Sequence, residues 1–541
     1  MAECQVSSHG SEDLYTSMGK QLQEITRKCR SIKGPLTRYI LNTKTLLDGD
    51  KLRRETFGES DRSKPHKTIL LVGATGTGKT TLINAIVNYM LGVQWENRIW
   101  CEIIETKASQ TESQTKAFTV YDIFTDESPV SFTVIDTPGY GSTEGIESDL
   151  KIAETLHELF RSKDGVQEID AVCLVVSADT IRLTDTQLYV FDAVLSLFAF
   201  DMERNIVVLI THAHNKPRNA LKAIKDSKIK CAKASNGKPV HFCFNNSHCE
   251  NLQSDDDDDD DKTDNEKKAD EYQHLWETNK ETMNNFFTFL NEVSSINVKL
   301  TESVLRKRKQ LKASISNLKD RITLTELRKT ELEQTKAALE NHEKEKKDFE
   351  YEVDEPYKEK VPIESKWWHL SRDATCCSVC KENCHYPGCW WVRDLSWCSV
   401  MSEEKCTVCT GRCHYTDHVK EGKIYETKTR KVKRTLEDLK KKYEKESGEK
   451  MSLISRLEDE IKVQNNEKNR LVEECYQCVI GLEEIALNPT AVSTLQHLDF
   501  LIEKVKETGN TERVNKLQEL KKRDEDENPG VLKRIQQLWY S

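Results

Sequence analysis

Residues 67–91 read KTILLVGATGTGKTTLINAIVNYML, an apolar run followed by a glycine-rich turn and a helix-like pattern. Residues 73–80 match the pattern G-x-x-x-x-G-K-[ST] in the strand-to-helix context that it requires. Glycines let backbone N–H groups approach phosphates, the lysine neutralises their charge, and the threonine hydroxyl can bind Mg²⁺. The stretch predicts an α/β domain whose nucleoside-triphosphate site contains Gly73, Ala74, Thr75, Gly76, Thr77, Gly78, Lys79, Thr80 and Thr81.

A second phosphate-site motif, FTVIDTPGYGS, follows at residues 132–142. Its apolar strand ends at Asp136, which can hold Mg²⁺ through water, and the amide of Gly139 can contact the γ-phosphate. The polar stretch between the motifs fits a switch loop and offers Thr111 or Thr115 as a further Mg²⁺ ligand. Tyr140 stands where Ras-like enzymes place a glutamine that orients water, so we expect slow hydrolysis and assign no catalytic residue.

The pattern along the chain predicts several regions. Strand-like runs alternate with amphipathic helices, which predicts a P-loop domain with a mostly parallel sheet over residues 65–250. We expect a helical lead-in over residues 1–64. An acidic, disordered linker is expected over residues 251–270, because SDDDDDDDK at 254–262 cannot bury itself.

The C-terminal half is highly charged and has helical periodicity. Heptad-like stripes over residues 271–353 and 423–485 flank a cysteine-rich segment at 354–422, and further helices are expected over 486–541. This order predicts an antiparallel coiled-coil hairpin that carries a small zinc-binding module at its tip. The alternative is that the two helices do not pair with each other, or that they pair with helices of another chain.

The cysteine-rich segment contains two copies of one pattern, CSVCKENCHYPGC at 377–389 and CTVCTGRCHYTDH at 406–418. Each copy offers the four donors that tetrahedral Zn²⁺ needs, which predicts about two structural zinc ions. One predicted site contains Cys377, Cys380, Cys384 and Cys389, and the other contains Cys406, Cys409, Cys413 and His418. Interleaved ligands, redox-active or simply buried thiols, and roles for the spare Cys376, Cys398, His385 and His414 stay open.

Length, composition and charge argue against several classes of protein. The chain has 541 residues, 18 cysteines and a net charge of −10, and no apolar run approaches the roughly 20 residues that span a bilayer. We expect a cytoplasmic protein without an integral membrane segment, because the sequence shows no secretory signal. The acidic charge argues against nucleic acid as a partner.

The ordered motifs GATGTGKTT, SQTESQT, DTPGYGST, LITHAH and FCFNNS resemble the GIMAP family of immunity-associated GTPases and its septin and Toc relatives, over roughly residues 67–250. The resemblance implies binding of GTP and GDP and dimerisation across the nucleotide faces. It implies that Thr211 and His212 replace the usual Asn-Lys-x-Asp box, with the imidazole against guanine. It also implies that Asn245 and Asn246 lie at the base and that Thr111 is the switch threonine.

These features together predict a GTP-binding, slowly hydrolysing switch or self-assembling scaffold. The coiled coil and the zinc module would bind protein partners. The alternative is a structural adaptor that holds its nucleotide permanently and never hydrolyses it.

Overall fold

The computed structural model describes most of the chain, in two compact units. The described residues are 19–32, 36–49, 52–105, 118–138, 155–162, 165–213, 217–247, 262–345, 350–363, 373–389, 392, 394–435, 453–490 and 492–527. The first unit comprises Met1–Glu302 and Asp526–Ser541, and the second comprises Ser303–Glu525.

The first unit is an α/β domain. Its strands are β1 Arg30–Ile32, β2 Thr37–Ile40, β3 Lys44–Asp48, β4 Leu52–Phe57, β5 His66–Val72, β6 Ile99–Glu102, β7 Phe118–Ile123, β8 Ser131–Asp136, β9 Glu168–Ile169, β10 Ala171–Ser177, β11 Ile206–Thr211, β12 His241–Cys243 and β13 Ile296–Asn297. Its helices are α1 Lys20–Lys28, α2 Lys79–Met90, α3 Asp185–Leu195, α4 Arg218–Asp226 and α5 Lys262–Glu292. Residues 155–161 are also helical.

Eight strands form the central sheet, in the order β12-β11-β10-β5-β8-β7-β4-β3. Among the described strands of this sheet, only the β7–β8 and β3–β4 pairs are antiparallel. The inner strands β8 and β11 are buried along their whole length, as expected for a sheet with both faces covered. The predicted P-loop α/β fold is therefore confirmed, with a mixed sheet.

The N-terminal region differs from the expected helical lead-in. Within residues 1–64, α1 is the helix that the structure describes, and β1–β4 occupy residues 30–57. Strand β4 pairs in parallel with β7, so Leu52 lies opposite Phe118. This pairing partner is distant in sequence, which is why local periodicity did not reveal it. Helix α5 begins at Lys262, inside the predicted linker, and residues 248–261 lie outside the described part of the chain.

The second unit combines long helices with short strands. Its helices are α6 Lys299–Glu345, which begins in the first unit, α7 Leu453–Ile485, α8 Val492–Glu507 and α9 Thr511–Glu527, whose last two residues belong to the first unit. Its strands are β14 Glu350–Pro362, β15 Ala374–Cys377, β16 Glu382–His385, β17 Met401–Ser402, β18 Lys405–Cys406, β19 His418–Glu421 and β20 Lys423–Thr435. Among the helices of the described residues, none is both long and apolar enough to cross a membrane.

A long β-ribbon replaces part of the predicted helical hairpin. Strands β14 and β20 pair antiparallel over thirteen residues each, from Glu350–Thr435 to Pro362–Lys423. The helical prediction for residues 350–353 and 423–435 was therefore wrong. The sequence carried a signal for strands, because Tyr351, Val353 and Tyr357 recur at even spacing among charged residues.

Helices α6 and α7 contact each other in antiparallel order. Arg321 Nη1 donates to Gln464 Oε1 at 3.0 Å, and Lys336 Nζ, further along α6, donates to Glu458 Oε1, earlier on α7, at 2.7 Å. The coiled coil itself stays a prediction. The cysteine module does not stand free at a tip, because Ala313 of α6 packs into the cluster of buried module cysteines.

Candidate functional site

The loop between β5 and α2 has the backbone that a phosphate cradle requires. Gly76 and Gly78 both have φ +78°, a left-handed conformation that glycine adopts without strain. A methyl group placed on Gly73 would lie 2.7 Å from Val175 O and 2.9 Å from Thr77 Oγ1, so this position has no room for a side chain. A Cβ on Gly76 would meet no atom within 4 Å, so the space beside the loop at this point is open.

Lys79 is held at the base of this loop. It is buried, and its Nζ donates to Gly73 O at 2.8 Å and to Ala74 O at 3.1 Å. Burial lowers the pKa of Lys79, and the nearby Asp136 carboxylate partly opposes that shift. A partly desolvated ammonium group surrounded by neutral carbonyls favours an anionic ligand, as a phosphate would be.

The predicted magnesium ligands lie at the same edge of the sheet. Asp136 ends β8 and is fully buried, and Leu71 is its partner on the neighbouring strand β5. Thr137 Oγ1 donates to Leu71 O at 2.8 Å and anchors the chain just after Asp136. Thr80 lies in the first turn of α2 and is half-buried. The other predicted ligand, Thr111, and Gly139 lie outside the described residues, so their roles stay predictions.

The predicted base-contacting box adjoins the phosphate loop. Thr211 ends β11, and its Oγ1 donates to Thr77 O at 2.8 Å, which ties the box to the loop. His212 follows with φ +53°, and a methyl group placed on Gly78 would lie 3.5 Å from His212 Nε2. The half-buried imidazole therefore lies beside the loop that would hold the phosphates.

Asn245 and Asn246 lie in a buried loop that a distant residue holds. Asn279 of α5 accepts a hydrogen bond from Asn245 N at 2.8 Å, and its Nδ2 donates to Asn245 O at 2.5 Å and to Asn246 Oδ1 at 3.2 Å. Asn279 belongs to no motif and lies 34 positions from Asn245, so local sequence patterns do not reveal it. Only the packing of α5 against the sheet brings it to the loop.

Among its described residues, the cysteine module of the second unit contains three groups of closely spaced atoms that could bind a metal ion. Within each group, all sulfur and ring-nitrogen atoms lie within 4.8 Å of one another. The first group is Cys377, Cys380, Cys409 and Cys413; the second is Cys384, Cys406, Cys409 and His418; the third is His385, Cys389 and Cys398. The structure thus combines ligands from both repeats, unlike the predicted sets, which kept each repeat separate.

The third group has no counterpart in the predicted ligand sets. His385 Nδ1 lies 3.3 Å from Cys398 Sγ and 3.6 Å from Cys389 Sγ, and all three side chains are buried. A nitrogen and a sulfur on one tetrahedral zinc would lie about 3.5 Å apart, from Zn–N and Zn–S bonds of about 2.0 and 2.3 Å. The predicted spare residues His385 and Cys398 therefore belong to a metal-sized cluster, whereas His414 is in none of the three groups.

Glu382 joins the two repeats to helix α6. This carboxylate is buried and forms an ion pair with Arg321. It also accepts hydrogen bonds from Asn317 Nδ2 at 3.1 Å, Thr410 N at 3.0 Å and Thr410 Oγ1 at 2.6 Å. A buried charge that is paired and fully hydrogen-bonded fixes the position of the groups that it contacts.

Comparison with known proteins finds a family match for part of the chain. Residues 67–248 match the model of the AIG1 family, whereas no curated protein matches the chain. The chain is similar to Toc33 from Arabidopsis thaliana in complex with Mg²⁺ and GMPPNP, at 16% identity over 44% of this chain and 90% of that chain, with a TM-score of 0.26. Toc33 with GDP and Mg²⁺ is similar at 15% identity over 41% and 86%, with a TM-score of 0.25. A dimerization-deficient Toc33 mutant is similar at 16% identity over 41% and 86%, with a TM-score of 0.26.

The family match and the geometry concern the same residues. The matched segment contains the phosphate loop with Lys79, the buried Asp136 and the loop at Asn245. It ends before α5, so Asn279 is not part of it. Residues 67–248 of this chain therefore form a P-loop α/β domain that matches the model of the AIG1 family.

Proposed function

We propose that the first unit binds GTP and GDP with Mg²⁺ and acts as a slowly hydrolysing switch or self-assembling scaffold. The observation that carries this proposal is the position of Lys79, whose buried ammonium group lies under a loop of left-handed glycines. Burial disfavours the charged form of Lys79, and the nearby Asp136 carboxylate offsets this cost only in part. Phosphate binding would give that buried charge its natural counterion.

The residues present suit a magnesium nucleotide. Backbone N–H groups of residues 73–81 and Lys79 would hold the phosphates, and Thr80, Thr111 and Asp136 would hold Mg²⁺ directly or through water. The metal ion would neutralise charge that builds up on the phosphates. Hydrolysis is expected to be slow because Tyr140 follows Gly139, where a water-orienting glutamine would stand.

The base would lie between His212 and the Asn245 loop. An imidazole face stacks on any purine, so it adds affinity with little selectivity. The amide groups of Asn245 and Asn246 offer the hydrogen bonds that distinguish guanine from adenine more sharply. The hydrogen bonds from Asn279 support this assignment, because they fix the position of the loop that would contact the base.

The second unit is proposed to be a zinc-stabilised arm that binds protein partners in the cytoplasm. Cysteine and histidine at metal-like spacing favour structural zinc, and the groups pack into one buried cluster with Val400 and Val408. A surface tyrosine and tryptophan, Tyr386 and Trp397, lie on this module and are exposed. Aromatic side chains of this kind are enriched at protein interfaces.

Two measurements on the full chain test the nucleotide proposal. Competition binding with the four nucleoside triphosphates should show a preference for GTP, and Lys79→Ala should abolish binding because the phosphates lose their principal cation. Thr80→Ala, one residue away, is the matched control and should mainly weaken binding that depends on Mg²⁺. Unchanged affinity in Lys79→Ala, or a preference for ATP, would refute the proposal.

Self-assembly is tested separately by molecular mass in solution. We expect a dimer or larger oligomer with a non-hydrolysable GTP analogue and a smaller species with GDP. Equal mass in both states, together with nucleotide that copurifies and is never hydrolysed, would instead identify the chain as a permanently loaded adaptor.

A further inference from the structure

The first and second groups of the cysteine module have one sulfur atom in common. Cys409 Sγ lies within 4.8 Å of every other ligand atom of both the first and the second group. Tetrahedral zinc in structural sites takes four protein ligands. Both groups reach four ligands only when Cys409 is counted twice; counted once, it leaves one of the two groups with three.

The spacing within the first group suits a shared metal ion. Cys380 Sγ and Cys413 Sγ, one from each repeat, lie 3.6 Å apart. Two thiolates on one tetrahedral zinc would lie about 3.8 Å apart, given Zn–S bonds of about 2.3 Å. A disulfide would bring the sulfurs to about 2.05 Å, and all cysteines of the described residues are free.

His418 supplies an independent observation in the second group. Its Nδ1 lies 2.9 Å from His414 O. Because a carbonyl oxygen can only accept, Nδ1 carries the hydrogen and donates a hydrogen bond to it. The other ring nitrogen, Nε2, is buried and has no hydrogen-bond partner among the described residues. Leaving such an acceptor unsatisfied is costly, whereas a metal ion would take its lone pair. Metal-bound histidines commonly donate the other N–H to a backbone carbonyl in this way.

Backbone N–H groups point at the sulfur atoms. Cys409 Sγ accepts from Cys413 N at 3.4 Å, and Cys406 Sγ accepts from Cys409 N at 3.4 Å. Cys380 Sγ accepts from Gly411 N at 3.3 Å. A metal-bound thiolate can accept such hydrogen bonds, so these contacts are compatible with metal binding. A methyl group on Gly411 would lie 3.0 Å from Cys413 Sγ and 3.2 Å from Cys380 Sγ, so the backbone closes tightly around these sulfurs.

We propose that Cys409 bridges two zinc ions, so that the first and second groups form one dinuclear, thiolate-bridged centre. Each ion would have four protein ligands, with one thiolate in common. The repeats would then be cross-linked through metal and not folded as two separate zinc knuckles. The inference rests on zinc binding by the module, which is proposed above.

Electron paramagnetic resonance of the Co²⁺-substituted full chain tests the bridge. A bridging thiolate couples two high-spin Co²⁺ ions antiferromagnetically, so their combined signal is lost at low temperature. At saturation, the integrated signal should account for two fewer cobalt ions than metal analysis finds. The third group can add at most one uncoupled ion, which does not hide this deficit.

Variants supply a second, independent readout by metal analysis after exposure to a chelator. Cys409→Ser should lose two zinc ions because both sites lose a ligand, whereas Cys377→Ser should lose one. The matched control is Cys376→Ser, because Cys376 Sγ contacts Asn383 Oδ1 and Lys423 O and belongs to none of the three groups. It should retain the wild-type content.

The outcomes separate the two proposals. A cobalt signal equal to the bound cobalt, or loss of a single zinc ion in Cys409→Ser, would overturn the bridge and leave zinc binding intact. Purified wild-type chain without zinc, and without cobalt–thiolate absorption after loading, would overturn zinc binding itself. The cobalt measurement on wild type decides the question even if Cys409→Ser does not fold.

Discussion

Asn279→Ala tests how the loop that would contact the base is held in place. The side chain makes two hydrogen bonds to the backbone of Asn245 and one to Asn246 Oδ1. A hydrogen bond of this kind contributes about 1 kcal/mol net, so losing the two backbone bonds should destabilise the held loop by about 2 kcal/mol. Alanine keeps helix α5 intact, because it has the highest helix propensity.

The effect on affinity follows from the population of the held loop. A change of about 2 kcal/mol alters the ratio of held to released loop by roughly thirtyfold. The apparent Kd increases by the inverse of the fraction that is competent to bind, so the largest expected increase for GDP is about thirtyfold. We expect the apparent Kd for GDP to increase by between about threefold and thirtyfold. If the loop is very stable in the wild type, most of it stays held even after the substitution, and the increase in Kd is smaller.

The assay is a fluorescence titration with labelled GDP, run beside thermal unfolding of each variant. Asn279→Asp keeps the acceptor for Asn245 N but places a carboxylate near Asn245 O, so it should bind as weakly as alanine does. Asn284→Ala is the matched control, because Asn284 lies on the same helix and contacts the Tyr89 hydroxyl instead of the loop. A Kd within about twofold of wild type in Asn279→Ala, or an equal loss in Asn284→Ala, would refute the reasoning.

Three further outcomes are expected. His212→Ala should weaken GTP and GDP binding about tenfold without reversing the preference over ATP, since a stacked base is worth roughly 1 to 3 kcal/mol; competition binding measures this. Burial, with Lys319 and Lys312 nearby, lowers the pKa of His497 from 6.5 to about 4. The unfolded chain therefore takes up this proton first, so stability is full above about pH 6.5 and falls by about 1.4 kcal/mol per pH unit down to about pH 4. His497→Gln should remove that part of the slope in denaturant unfolding at pH 7 and pH 5. Glu382→Ala should lower the free energy of unfolding of the second unit by about 3 to 5 kcal/mol, because it removes the ion-pair partner of the buried Arg321. Denaturant unfolding followed by tryptophan fluorescence would show this loss.

The parts of the fold that sequence predicted are those made by contiguous residues. The phosphate loop is a short stretch of backbone, and its glycines and Lys79 carry their own conformational and charge requirements. Buried strands such as β8 and β11 are uniform apolar runs and were equally visible. Periodicity missed β4 and the β14–β20 ribbon, because their stabilising partners are distant in sequence and charged residues hide the alternation.

The sequence by itself therefore determined the class of the first domain, its candidate phosphate loop and the types of residue that could bind metal in the second unit. The tertiary structure alone decided which ligands meet. Each repeat offers four donors in order, but Cys409 lies in two groups and His418 joins Cys384, because β15 pairs with both β16 and β19 and brings the repeats together. Asn279 likewise reaches the Asn245 loop only because helix α5 packs beside that loop. Contacts between segments depend on how the elements pack, and spacing along the chain does not encode that packing.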